Sequence, residues 1–65
     1  MDWKDWIGKR VFLRTKRDRF YSGKVLDIKE EPPQLIFIML LDKFGNKMMF
    51  LSSEIVEIRE EKDKL

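Results

Sequence analysis

Arg14, Lys16, Arg17 and Arg19 fall within six positions of a 65-residue chain, and the chemistry such a cluster offers is contact with phosphate oxygens. Around it, residues 1–29 carry nine Lys or Arg against four Asp, a balance of +5. Residues 30–65 carry five basic against eight acidic side chains, −3, so the whole-chain charge of +2 conceals a basic first half. Phe12 and Phe20 interleave with Arg10, Arg14 and Arg19, the mixture that stacks single-stranded bases over a basic groove. Each feature also has a plainer reading. Charge at a hairpin tip keeps an edge strand soluble, and phenylalanines more often fill cores or interfaces.

Catalytic chemistry finds little support. The chain has no histidine and no cysteine, which removes the commonest general base, the commonest zinc ligand and any disulfide. Ser22, Ser52 and Ser53 therefore lack an activating partner, and Asp27, Asp42 and Glu54 read as solvated charges at strand ends. Neither a glycine-rich phosphate loop nor a metal-ligand spacing occurs. The expectation is a protein that is not an enzyme, uses no cofactor or metal, and has no evident small-molecule substrate.

Short strands must position these residues. Val11 and Leu13 alternate with Arg10, Phe12 and Arg14, as Tyr21 and Val25 do with Phe20, Ser22 and Lys24, and a period of two is the strand signal. The pattern predicts strands over Arg10–Thr15, Arg19–Lys29, Gln34–Leu41, Lys47–Leu51 and Glu54–Arg59. Asp2 caps a helical turn through Trp6 that ends at Gly8, with Trp3, Trp6 and Ile7 as a lid. Glu30-Glu31-Pro32-Pro33 breaks the second strand, since proline cannot donate to a ladder. Phe44-Gly45-Asn46-Lys47 is a hairpin turn, and Ser52-Ser53 a tight one. Gly23 lies inside the second strand, where a small barrel needs a bend or a close approach.

The third strand is apolar on both sides, with Leu35, Phe37, Met39 and Leu41 on one face and Ile36, Ile38 and Leu40 on the other. Phe12, Phe20, Leu26, Met48 and Phe50 are further candidates for an outer face. That is more apolar surface than one small core absorbs, which points to self-association through open strand edges. The competing arrangement covers the second face with the N-terminal tryptophan turn.

A chain this short holds one domain with a small core. The expected division is a barrel over residues 1–59 and a charged, frayed tail over residues 60–65. Many Lys and Glu with a single Asn and a single Gln match a heat-adapted source. No signal peptide is read at the N-terminus, and the apolar run Leu35–Leu41 is too short to span a bilayer as a helix. The expectation is a soluble, cytoplasmic protein without membrane contact.

The order of elements, together with I-G-K-R-V at Ile7–Val11, R-x-Y-x-G-x-V at Arg19–Val25 and F-L-S-S-E-I-V-E-I at Phe50–Ile58, resembles the Sm and Sm-like (LSm) proteins, and in particular a divergent archaeal-type member. The resemblance spans about residues 3–59. It implies a five-stranded SH3-like barrel behind a short N-terminal helical turn, assembled as a homo-oligomeric ring. The family reads uracil-rich RNA with an Asp-or-His-x-x-Asn element between strands two and three and an Arg-Gly element between strands four and five. This chain has K-E-E-P-P-Q in the first loop, with Gln34 near the Asn position, and Leu51-Ser52-Ser53-Glu54 in the second.

The resemblance thus implies an RNA-binding protein in which Arg14, Lys16, Arg17 and Arg19 contact phosphates while Gln34, Ser52 and Ser53 reach bases or phosphates. Glu30, Glu31 and Glu54 oppose a polyanion at those loops. The alternative is a protein-interaction scaffold of Sm architecture that has lost its RNA site. A weaker third reading is a small basic barrel binding duplex DNA without sequence preference.

Overall fold

Alternation of apolar and polar side chains turns most of this chain into strands, because successive Cβ atoms then point to opposite faces of a sheet. In the computed structural model, which describes residues 2–32 and 34–61, these are β1 (Arg10–Thr15), β2 (Phe20–Glu31), β3 (Leu35–Leu41), β4 (Lys47–Leu51) and β5 (Ile55–Glu60). Two 3-10 turns, Trp3–Trp6 and Ser52–Glu54, complete the described elements. All neighbours are antiparallel, in the order β4-β3-β2-β1-β5. The fold is all-β.

The expected barrel does not close. β4 and β5 are the two edges of the sheet and are not paired with each other. The Ser52–Glu54 turn sends the chain away from β4: the Lys16 amide donates to the Glu54 carbonyl at 2.9 Å, and Ile55 then pairs with Thr15 of β1. The sheet is nonetheless strongly curled. Tyr21 of β2 and Phe50 of β4 have ring centroids 4.9 Å apart although β3 lies between their strands.

Inside the curl, Val11, Leu13, Val25, Ile38 and Leu40 are fully buried and Ile28 nearly so. Trp3, Trp6, Tyr21, Ile36, Met48, Phe50, Ile55 and Ile58 pack around them. Met48 and Phe50 are thus core residues rather than members of an outer face. The β3–β4 register opposes them to Leu40 and Ile38, and register partners share a face. Phe12 and Phe20 do face outward, Phe20 being 58% exposed.

The N-terminal turn is held by the Asp5 amide donating to the Asp2 carbonyl at 3.0 Å and the Asp2 amide donating to the Asp5 carboxylate at 3.2 Å. Its tryptophans pack on the buried cluster, while Ile7 is exposed. They therefore plug the curl and do not roof the second face of β3. That face leaves Leu35, Phe37, Met39 and Leu41 exposed or half-buried beside Met49 and Leu51 of the edge strand β4.

β2, β3 and β5 each start one residue later than expected, and β2 and β5 end later. β2 continues through Glu31, because Glu30 and Glu31 still pair with Ile36 and Leu35 and the first proline comes one residue later. Pro33, also read as a breaker, lies outside the described residues. At the other end, Glu60 pairs with Val11 and the Glu61 amide donates to the Arg10 carbonyl at 2.8 Å. Glu60 therefore belongs to the sheet, not to a tail, and Glu61 is tied to β1 just beyond its end. Residues 62–65 lie outside the described residues.

The β3–β4 turn carries one testable electrostatic feature. One Asp42 carboxylate oxygen accepts from the Phe44 and Asn46 amides at 2.8 Å each, and the other accepts from the Asn46 side chain at 3.2 Å. The Asn46 amide foremost, helped by its side chain and by the Phe44 and Gly45 amides, holds the Asp42 carboxyl below its ordinary value of 3.8. Hydrogen bonds to the ionised form favour it. A lowered folded pKa gives stability that is present above the ordinary value and is lost as pH falls through the folded one. Asp42→Ala should therefore melt below the wild type at neutral pH, with the gap narrowing below pH 3.8. Thermal melts across that range check this. A gap independent of pH would contradict it.

Candidate nucleic-acid interface

The β1–β2 turn presents the basic residues. The Thr15 amide donates to the Arg19 carbonyl and the Asp18 amide to the Thr15 carbonyl, each at 2.9 Å. Asp18 sits in the left-handed region at φ 61°, a conformation aspartate adopts more readily than most residues. This tight turn leaves Lys16, Arg17 and Arg19 exposed. Its bond from the Lys16 amide to the Glu54 carbonyl ties it to the Ser52–Glu54 turn.

Between the two turns lies a cleft of about 480 Å³ lined by Thr15, Lys16, Arg17, Arg19, Tyr21, Phe50 and Glu54. Three cations face one carboxylate there, and two tilted rings form its apolar part. Such a site can hold an anion next to a flat apolar group. Tyr21 and Phe50 were not legible as site residues, because their meeting depends on the curl that brings β2 and β4 together.

The other four expected residues separate from this trio. Arg14 points to the outward face of β1, 3.6 Å from Asp18 and 3.6 Å from Glu57, so two carboxylates already hold it. Gln34 lines a different cleft with Glu30, Glu31, Pro32, Leu35 and Ile36, where acidic side chains repel a polyanion. Ser52 is half-buried and Ser53 exposed. Both sit on the turn that receives Lys16, but neither lines the basic cleft.

Among the described residues no His, Cys, Asp or Glu gather in threes to hold a metal ion, and no helix is long and apolar enough to cross a membrane. The fold and cleft define a small all-β protein with an open, curled sheet and a basic cleft floored by aromatic rings. Comparison with models of protein families, with curated proteins and with solved structures finds no match to this chain.

Proposed function

We propose that this protein is an Sm-like nucleic-acid-binding protein, with RNA as its first ligand, that acts as a homo-oligomeric, ring-forming scaffold. The observation that carries the reading is the cleft that Lys16, Arg17 and Arg19 line together with Tyr21, Phe50 and Glu54. Cations for phosphates beside rings for bases are the two ingredients of single-strand binding. The N-terminal turn, five antiparallel strands and a 3-10 turn between β4 and β5 support the Sm-like assignment as an order of elements. Two unpaired edges, β4 and β5, support self-assembly, since a strand edge is a row of unsatisfied donors and acceptors.

The scaffold reading is favoured by a separate observation. The apolar face of Leu35, Phe37, Met39, Leu41, Met49 and Leu51 lies beside the edge strand β4, and the neighbouring cleft is lined by Glu30 and Glu31. A protein partner suits that surface better than a nucleic acid does.

A salt titration of binding to uridine, adenosine and cytidine homopolymers, with light scattering of the free protein, tests both readings. The wild type should bind at low salt and run above the mass of one chain. Replacing Lys16, Arg17 and Arg19 by Gln should reduce the log–log salt slope by about 2, at roughly 0.7 per phosphate on a single strand. Arg14→Gln should change the slope little, because Asp18 and Glu57 already neutralise that guanidinium. Gln34→Ala should alter base preference without changing the slope, since an amide contact releases no counterion. Failure of the wild type to bind any homopolymer would remove the nucleic-acid reading and leave the scaffold. A monomer at high concentration would remove the ring.

A further inference from the structure

The outward face of β5, β1 and β2 carries a second aromatic and basic surface, apart from the cleft. Phe12 stands at its centre. Cross-strand register places Arg59 on one side of it and Ser22 on the other, and Arg10 and Arg14 flank it along β1. Phe20, opposite Arg14, stacks on Phe12 with ring centroids 5.6 Å apart and planes inclined by 29°. The Arg59 guanidinium lies 5.3 Å from the Phe12 centroid. Lys24, opposite Arg10, extends the positive charge along β2.

We propose that this face is a base-stacking platform for single-stranded nucleic acid, with Phe20 as the exposed stacking ring and Arg10, Lys24 and Arg59 as phosphate contacts. Four cations and two carboxylates, Glu57 and Glu61, share these outward positions, Glu61 standing opposite Arg10, to whose carbonyl its amide donates. Glu57 is engaged by Arg14 at 3.6 Å and Arg59 at 3.8 Å. Among the described residues no carboxylate reaches ion-pair distance of Arg10 or Lys24.

The surroundings of the rings decide the class of partner. A protein interface buries aromatic rings among apolar neighbours and depletes charge at its core, whereas here the Arg59 guanidinium lies 5.3 Å from the Phe12 ring and Arg14 stands opposite Phe20, which also borders a cleft with Asp42, Lys43 and Phe44. An anionic polymer with flat apolar units matches that alternation of ring and cation. Alternate residues on a strand are about 6.6 Å apart, so Arg10 and Phe12 present charge and ring one such interval apart. Duplexes are disfavoured, since their base faces are already stacked.

This inference rests on the nucleic-acid reading above but names a different surface, so the two can fail separately. The probe is a fluorescein-labelled uridine 12-mer, with a duplex of the same length as comparison. Phe20 is 58% exposed, so its substitution leaves the buried core intact, and Phe20→Leu keeps apolar bulk while removing the π-face. Both Phe20→Ala and Phe20→Leu should weaken single-strand binding roughly five- to a hundred-fold, the equivalent of about 1–3 kcal/mol per stacked base. The salt slope should not change. Lys24→Gln should lower the slope by about 0.7, and Arg59→Gln by less, because Glu57 already pairs with that guanidinium at 3.8 Å.

Binding by the wild type that survives both Phe20 variants, while the Lys16, Arg17 and Arg19 variant loses its slope, overturns the platform and leaves the cleft. Loss in the Phe20 variants with an unchanged slope in the cleft variant supports the platform and displaces the cleft. Equal binding of duplex and single strand overturns it. A drop in oligomeric mass in Phe20→Ala also overturns it, and makes this face a contact between copies. A wild type that binds neither probe removes both proposals.

Discussion

Gly23→Ala should destabilise the protein by about 3 kcal/mol, and Gly23→Val by at least as much, at the upper end of what overpacking a core costs. The cause is space, not conformational freedom, because Gly23 is not in the left-handed region. A Cβ there would sit 2.9 Å from the Leu41 carbonyl carbon and 3.2 Å from Leu40 Cγ, with the Leu41 carbonyl oxygen closer still. β2 changes partners at this point. Gly23 pairs with Val11 of β1, and the next residue, Lys24, faces both Arg10 of β1 and Leu41 of β3. The absent side chain lets β3 cross that corner. A loss of ~3 kcal/mol lowers the melting temperature of so small a domain by about 12–24 °C, at roughly 4–8 °C per kcal/mol. Thermal melts at one protein concentration measure this, since assembly would make stability concentration-dependent. An unchanged melting temperature would contradict the corner.

Leu40→Ala should cost about 3 kcal/mol by a different route. Leu40 is fully buried and faces Val25 across the β2–β3 ladder. Its truncation loses transfer free energy and leaves a cavity, which together cost about 2–5 kcal/mol for leucine. A small domain sits at the low end of the ~5–15 kcal/mol range of native stabilities, so this one change removes much of the margin. Combining it with Gly23→Ala separates the causes. Leu40 is the softer obstacle to the new Cβ, whereas the nearer one is Leu41 backbone. The double variant should therefore be no more stable than Leu40→Ala alone. Chemical denaturation of the three variants checks it. A double variant more stable than Leu40→Ala would show that the side chain, not the backbone, enforces glycine.

Both effects explain why the strands could be read from the chain more easily than the site. β1 and β4 begin and end at the residues where alternation starts and stops, and β3 and β5 differ by one residue at an end or at each end. β2 runs two residues further than its composition suggests, because Glu30 and Glu31 are held by β3 and not by their own propensity. The cleft was half legible. Lys16, Arg17 and Arg19 are neighbours in the chain and remain neighbours in space. Arg14 belongs to the same run, but strand alternation turns it to the outward face between Asp18 and Glu57.

Period-two patterning is local, so residue order alone yields an all-β chain, five strands, a basic hairpin tip and an apolar surplus on β3. Which face receives Met48 and Phe50 is another matter. It is set by where β4 pairs along β3, and a shift of one residue there exchanges core for surface. The curl of the sheet is likewise long-range. It depends on the bond between the Lys16 amide and the Glu54 carbonyl, on β5 pairing with β1, and on register shifts near Leu26 and between Arg14 and Thr15. Each joins residues far apart in the chain through backbone groups that every residue type carries, so side-chain identity could not announce them.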